Sequence, residues 1–135
     1  MKSNKIQSFI ESQKSLQYYE RLREAIADVL SSVSDNEFER ITRNVLIVAL
    51  HDGASAQVMH VPPQKEQLAV VQITLHSDAT DSHLRYVVAH EFGHVLQGRN
   101  WEESDGDSLE EDAHAWAVSH GFEDTRKTHK AKTHK

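Results

Sequence analysis

Apolar residues recur at steps of about three or four from Ile6, Phe9 and Ile10 through Leu16, Tyr19, Leu22 and Ile26 to Val29 and Leu30, which predicts one long amphipathic helix over residues 4–32. Ser34-Asp35-Asn36-Glu37 then reads as a capping box, with the serine hydroxyl accepting from an early backbone N–H and Glu37 reaching back. The helix it opens carries Phe38, Ile41, Val45, Val48 and Ala49 at helical spacing, with Gly53 as a stop; the β-branched stretch Val45-Leu46-Ile47-Val48 also fits a buried strand. After Gly53 the period falls to two, first around Ala56, Val58 and His60 and again around Val71, Ile73 and Leu75. With Pro62-Pro63 between them, these segments predict an antiparallel hairpin. Asp81 or Ser82 is positioned to cap a helix running to Gly98. An acidic loop over 99–108 leads to Asp107-Ser108-Leu109-Glu110, a second capping-box-like start, and to a last helix with Ala113, Trp116 and Ala117 at core spacing and Gly121 as its end. This order of elements predicts an α+β domain, mainly helical with a small antiparallel sheet.

The helix ending at Gly98 contains His90-Glu91-Phe92-Gly93-His94, an HExxH motif. On a helix the two histidines are separated by about 40° around the axis and ~6 Å along it, so two imidazoles can hold one ion. Glu91 lies roughly 100° from His90, off the ligand face but within reach of a water in an open coordination position, where it suits a general base. Composition alone yields about 0.06 such motifs in a chain of this length, so context has to raise the assignment. The flanking Tyr86, Val87, Val88, Ala89, Phe92, Val95 and Leu96 would bury the helix, and unpaired buried imidazoles would be costly.

A catalytic zinc commonly takes three protein ligands and a water. The extended metzincin pattern would require glycine at 97 and histidine at 100; Gln97 and Asn100 stand there. A carboxylate is the next candidate. Glu110, Ala113, His114 and Ala117 share one side of the last helix, whose small alanines permit a close approach, so Glu110 is the preferred third ligand and Glu111 its rival. Glu102, Glu103 and Asp107 read as solvated surface. His114 is a candidate for steadying a ligand or for donating to a developing oxyanion.

Composition narrows the chemistry. With no cysteine among 135 residues, thiolate metal sites, disulfides and cysteine nucleophiles are excluded, and any ion must be held by His, Asp or Glu. The net charge of −6 is unevenly spread: five of the fifteen basic residues lie in the last ten positions, leaving ten bases against 21 acids before them. Such an acidic body disfavours specific nucleic-acid binding. Residues 1–125 read as one domain and 126–135 as a flexible basic tail. The longest apolar run, Val45 to Leu50, is too short to cross a bilayer and the amino terminus lacks a signal-like stretch, so no membrane association and a cytoplasmic location are expected. Tyr18 and Tyr19 read as core or partner surface, Trp101 as a cleft-mouth residue, and His51, His60, His76, His83 and His120 as ordinary histidines.

Arg85 through Leu96, followed by Glu110-Glu111-Asp112-Ala113-His114-Ala115-Trp116-Ala117, resembles the ImmA/IrrE family of small zinc metallopeptidases, HExxH zincins of the gluzincin type. The likeness spans roughly residues 68–118, with His114 where the family usually has Asn or Asp and with a short gap between His94 and Glu110. The resemblance implies His90, His94 and Glu110 as zinc ligands, Glu91 as general base and a reduced zincin fold whose small sheet packs on the HExxH helix. It further implies a narrow endopeptidase, often encoded by phages or mobile elements, whose substrate is a regulatory protein such as a helix-turn-helix repressor. The strand Ala69–Leu75, with Val71 and Ile73, is the expected edge onto which an extended peptide substrate would add. The alternative is a non-catalytic zincin-like module that regulates a partner by association; the same metal-and-water machinery also serves non-peptidase hydrolases.

Overall fold

The computed structural model describes residues 2–43, 45–51, 57–60, 69–75, 79–97, 106–123 and 125. Helix α1 (Lys2–Ser12) is followed by a 3-10 segment (Lys14–Tyr18), α2 (Glu20–Ser32), α3 (Asp35–Thr42), strands β1 (Val45–His51), β2 (Gln57–His60) and β3 (Ala69–Leu75), and helices α4 (Asp81–Gln97) and α5 (Gly106–Ser119). The class is α+β. None of these helices is long and apolar enough to cross a membrane. The expected tail over 126–135, together with Trp101, Glu102 and Glu103, lies outside the described residues, as does the side chain of Asp107.

The long helix expected over 4–32 is broken twice. Gln13 (φ −93°, ψ 96°) and Tyr19 (φ −130°, ψ 81°) leave helical geometry on either side of the 3-10 segment. The interruption at Gln13 has a specific partner. Its buried side-chain amide donates to the Val45 carbonyl (3.1 Å) and accepts from the Ile47 N–H (2.8 Å), and Ser15 Oγ accepts from the Ala49 N–H at 2.7 Å. Two side chains therefore take the place of a further strand along the outer edge of β1. Tyr19 packs against the core, whereas Tyr18 is 89% exposed.

Helix α3 stops at Thr42 and the β-branched run forms a strand, which resolves the ambiguity of residues 45–48 in favour of β. The capping box is present: Glu37 N–H donates to Ser34 Oγ at 3.1 Å, and Ser34 N–H donates to Glu37 Oε1 at 3.0 Å. The expected hairpin forms, with β2 antiparallel to β3 in the register His60 to Ala69 and Gln57 to Gln72. The sheet is nevertheless mixed, because β1 joins β3 in parallel and the strand order is β1-β3-β2. The edge-strand assignment of Ala69–Leu75 is thereby overturned: β3 is central, and Val71 and Ile73 are fully buried against Ile47 and Ala49 in register. A strand whose inward face is wholly apolar stabilises the sheet most when it is paired on both sides.

Helix α4 begins at Asp81, but its cap is Thr80, whose Oγ1 accepts from His83 N–H at 3.1 Å; Asp81 and Ser82 follow inside the first turn. Nine of its 17 residues are buried, because α2, α3, α5 and the sheet all pack around it. Leu22, Ile26, Val29 and Leu30 of α2 join Leu84, Val88, Ala89 and Phe92 of α4 in a core that runs from Ile6 to Ala117. Helix α5 starts at Gly106, earlier than the expected loop end. It closes as expected at Gly121, where φ of 93° is the left-handed geometry glycine tolerates and Phe122 N–H reaches back to the Ala117 carbonyl at 3.1 Å.

Replacing Gln13 with Leu strands the Val45 carbonyl and the Ile47 N–H in a buried setting. A loss of about 2–4 kcal/mol is expected in urea unfolding, whereas Ser12→Ala, at an exposed neighbour, should cost well under 1 kcal/mol.

Candidate metal centre

His90 and His94 lie one turn apart on α4, and both present Nε2 to the Glu110 carboxylate from α5. His90 Nε2 is 3.1 Å from Oε2 and His94 Nε2 is 2.8 Å from Oε1. One ligand atom from each of these residues lies within 4.8 Å of the others, a convergence that can hold a metal ion. Donors sharing a tetrahedral zinc sit about 3.3 Å apart, within about half an ångström of both carboxylate contacts. The imidazoles are largely covered, at 10% and 16% side-chain exposure, while Glu110 is 60% exposed, so the group opens to solvent on the carboxylate side. Glu110 is the carboxylate that converges with the two imidazoles, whereas Glu111 is exposed and does not join the group.

The close approach of the two helices depends on small residues. A Cβ at Gly93 would lie 3.2 Å from Ala113 Cα and 3.3 Å from its carbonyl oxygen, tighter than side chains ordinarily tolerate. With Ala113 and Ala117 also buried, α5 lies low enough on α4 for a glutamate of ordinary length to reach both imidazoles. Partial burial of Glu110 raises its pKa, but the charges and hydrogen bonds of His90 and His94 outweigh this and hold the carboxyl below its usual range.

The second nitrogen of each histidine is also engaged. Tyr86, one turn before His90 and buried, places its hydroxyl 3.4 Å from His90 Nδ1 and 2.8 Å from His114 Nδ1. His114 thus supports the site from α5 through Tyr86 and lies outside the triad that could hold a metal ion. Gln97 Oε1 lies 2.8 Å from His94 Nδ1. Sequence reasoning passed over both Tyr86 and Gln97; their spacing of four before one ligand and three after the other is the signal that could have found them.

Glu91, next to His90 in sequence, is buried, with Oε2 lacking a hydrogen-bond partner among the described residues. Burial pushes its carboxyl up to about 7; His94 opposes the shift and the negative Glu110 adds to it. A carboxyl that exchanges a proton near neutrality beside a metal-capable triad is equipped for general acid–base work. No family model matches this sequence, and no curated protein or solved structure shows significant similarity to it. The chemistry of the site therefore stands on these residues alone.

Helix α3 braces both site helices. Arg40 donates to the Leu96 carbonyl at the end of α4 (2.8 Å), and Glu37 accepts from Trp116 Nε1 (2.9 Å) and from His120 Nε2 (3.2 Å) near the end of α5. His120, expected to be ordinary, stacks on Trp116 with ring centroids 4.2 Å apart. His83 meets Thr125 Oγ1 at 2.8 Å, and the side chains of His51, His60 and His76 lie outside the described residues. Partial burial raises the Glu37 pKa, but the Ser34 backbone, Trp116 and His120 hydrogen bonds together lower it to about 2.

Two measurements follow from these carboxyls. The folded pKa of Glu37 lies below its unfolded value, so its stabilisation is complete above the unfolded value and is lost as pH falls toward 2. Between pH 6 and pH 2.5 the native chain should lose about 1–3 kcal/mol more stability than Glu37→Gln in denaturant titrations. Glu91 has the opposite sign, being raised on folding, so its carboxylate destabilises the metal-free protein at alkaline pH. Glu91→Gln should stabilise that form by about 2–3 kcal/mol at pH 8, with the gain vanishing below about pH 4.5.

Proposed function

We propose that this protein is a zinc-dependent endopeptidase of narrow specificity, built on a reduced zincin fold in which α4 packs against the three-stranded sheet. The observation that carries the reading is the meeting of two imidazole Nε2 atoms and one carboxylate beside a buried glutamate whose second oxygen lacks a partner among the described residues. A His, His, Glu donor set without thiolate suits zinc with an open position.

When bound, the ion supplies Lewis-acid polarisation of a peptide carbonyl and makes water more acidic. Glu91 takes a proton from the attacking water as the new C–O bond forms. It then delivers that proton to the amine nitrogen as the C–N bond breaks. Its raised pKa matches a group that must both accept and donate near neutral pH. His114, linked to Tyr86, stands on α5 as the candidate donor to the developing oxyanion. An extended peptide joining the sheet would pair with the outer strand β2, since β3 is interior. The resemblance of the HExxH and Glu110 segments to the ImmA/IrrE peptidases makes a helix-turn-helix repressor the substrate to try first.

Metal analysis of the purified chain should find about one zinc per molecule, and His94→Ala should lose it. Glu91→Gln should keep the zinc yet cut a co-incubated helix-turn-helix repressor about 10²–10⁴-fold more slowly than the native chain does. Zinc below stoichiometry in the native chain, or undiminished cleavage by Glu91→Gln, would overturn the reading. An unchanged biological effect without cleavage would favour a binding module.

A further inference from the structure

We infer that Gln97 is a positioning residue for the metal centre, fixing which nitrogen of His94 faces the ion and tying that ligand to the chain segment that carries Glu110. The inference rests on the metallopeptidase reading of the triad and adds a residue to it. Gln97 lies three positions after His94 on the last turn of α4, where side chains of this spacing meet. Its amide Nε2 donates to the Leu109 backbone carbonyl at 2.8 Å, and its Oε1 lies 2.8 Å from His94 Nδ1.

The two contacts determine each other. A backbone carbonyl only accepts, so the nitrogen end of the amide belongs at Leu109 and the oxygen end at His94. An amide oxygen also only accepts, so His94 Nδ1 must carry a proton. In the metal-free chain Nε2 therefore donates to Glu110 Oε1 at 2.8 Å, and because Nδ1 keeps its proton, Nε2 is the nitrogen that would give up its proton and offer a lone pair to an ion. Leu109 immediately precedes Glu110, so one side chain spans the ligand on α4 and the backbone beside the ligand on α5. Tyr86 makes a comparable link at the other imidazole, from His90 to His114. The triad thus has a crosstie between its two helices at each end, and the one through Gln97 leaves no freedom in its donor and acceptor assignment.

The test is a substitution series at this position, read by zinc competition with a chromophoric chelator on the full chain. Gln97→Met keeps length and apolar stem but removes both contacts, and should raise the zinc dissociation constant about 10–100-fold. Gln97→Glu keeps an acceptor for Nδ1 while losing the bond to Leu109, and should recover most of that loss. Gln97→Lys offers only donors to Nδ1 and should bind zinc most weakly. An independent readout is the long-range 1H–15N spectrum of the zinc-loaded protein. There the His94 Nδ1 proton should be protected from exchange in the native chain and in Gln97→Glu, and exposed in Gln97→Met. If Gln97→Met fails to fold, the comparison of Gln97→Glu with Gln97→Lys decides alone. Equal zinc affinity across the series, or a Glu variant no tighter than Met, would overturn the role of Gln97 while leaving the triad intact. A native chain that binds no zinc would overturn the triad and the inference together.

Discussion

The Glu110 carboxylate touches two imidazoles that belong to a different helix, and a contact of that length requires α4 and α5 to run almost backbone to backbone. Gly93 and Ala113 meet that requirement, since even a methyl group at position 93 would press on the Ala113 main chain. The rest of the site inherits its geometry from this crossing. Glu110 reaches His90 and His94 from α5, Tyr86 and Gln97 brace the far nitrogens, and Glu91 is buried close by, where desolvation keeps its proton bound near neutrality. A desolvated carboxyl placed this way is a cost to the fold.

What holds the crossing together comes from elsewhere in the chain. The apolar faces of α2 and of the sheet support α4 from beneath, with Ile26, Val29, Ile47, Val71 and Ile73 wholly buried. Helix α3 contributes polar ties on the outside, Arg40 to the end of α4 and Glu37 to Trp116 of α5 and to His120 just beyond it. Hydrogen bonds to charged groups contribute about 1.5–3 kcal/mol each when well formed. The two helices are therefore fixed relative to one another by a third element that touches neither imidazole.

Much of this was legible in the order of residues. The extent of α4, the start of α5 near a capping pattern, the stop at Gly121 and the choice of Glu110 all follow from local signals acting within one or two turns. The breaks at Gln13 and Tyr19 were harder to see because the apolar spacing looks continuous, although the step of six between Ile10 and Leu16 departs from a helical repeat. Nothing local marks Gln13 as a strand surrogate, since its partners Val45 and Ile47 lie more than thirty positions away. The parallel pairing of β1 with β3 is likewise a long-range choice, and it moved Val71 and Ile73 from a presumed edge to the sheet interior. His120 looked unremarkable for the same reason: its carboxylate partner is 83 residues distant in sequence. Polar residues such as Gln97 give no sign of their role until the backbone they bind is in place.

The closure of β1 by side chains has a consequence for how copies of this chain meet one another. Unpaired strand edges invite end-on polymerisation, because any neighbour with an exposed strand can complete them. Here Gln13 and Ser15 occupy the hydrogen-bonding positions of Val45, Ile47 and Ala49. An approaching strand would have to evict a buried amide before it gained a single bond. Among the described residues, growth of the sheet through β1 is thereby obstructed, which leaves β2 as its other outer strand.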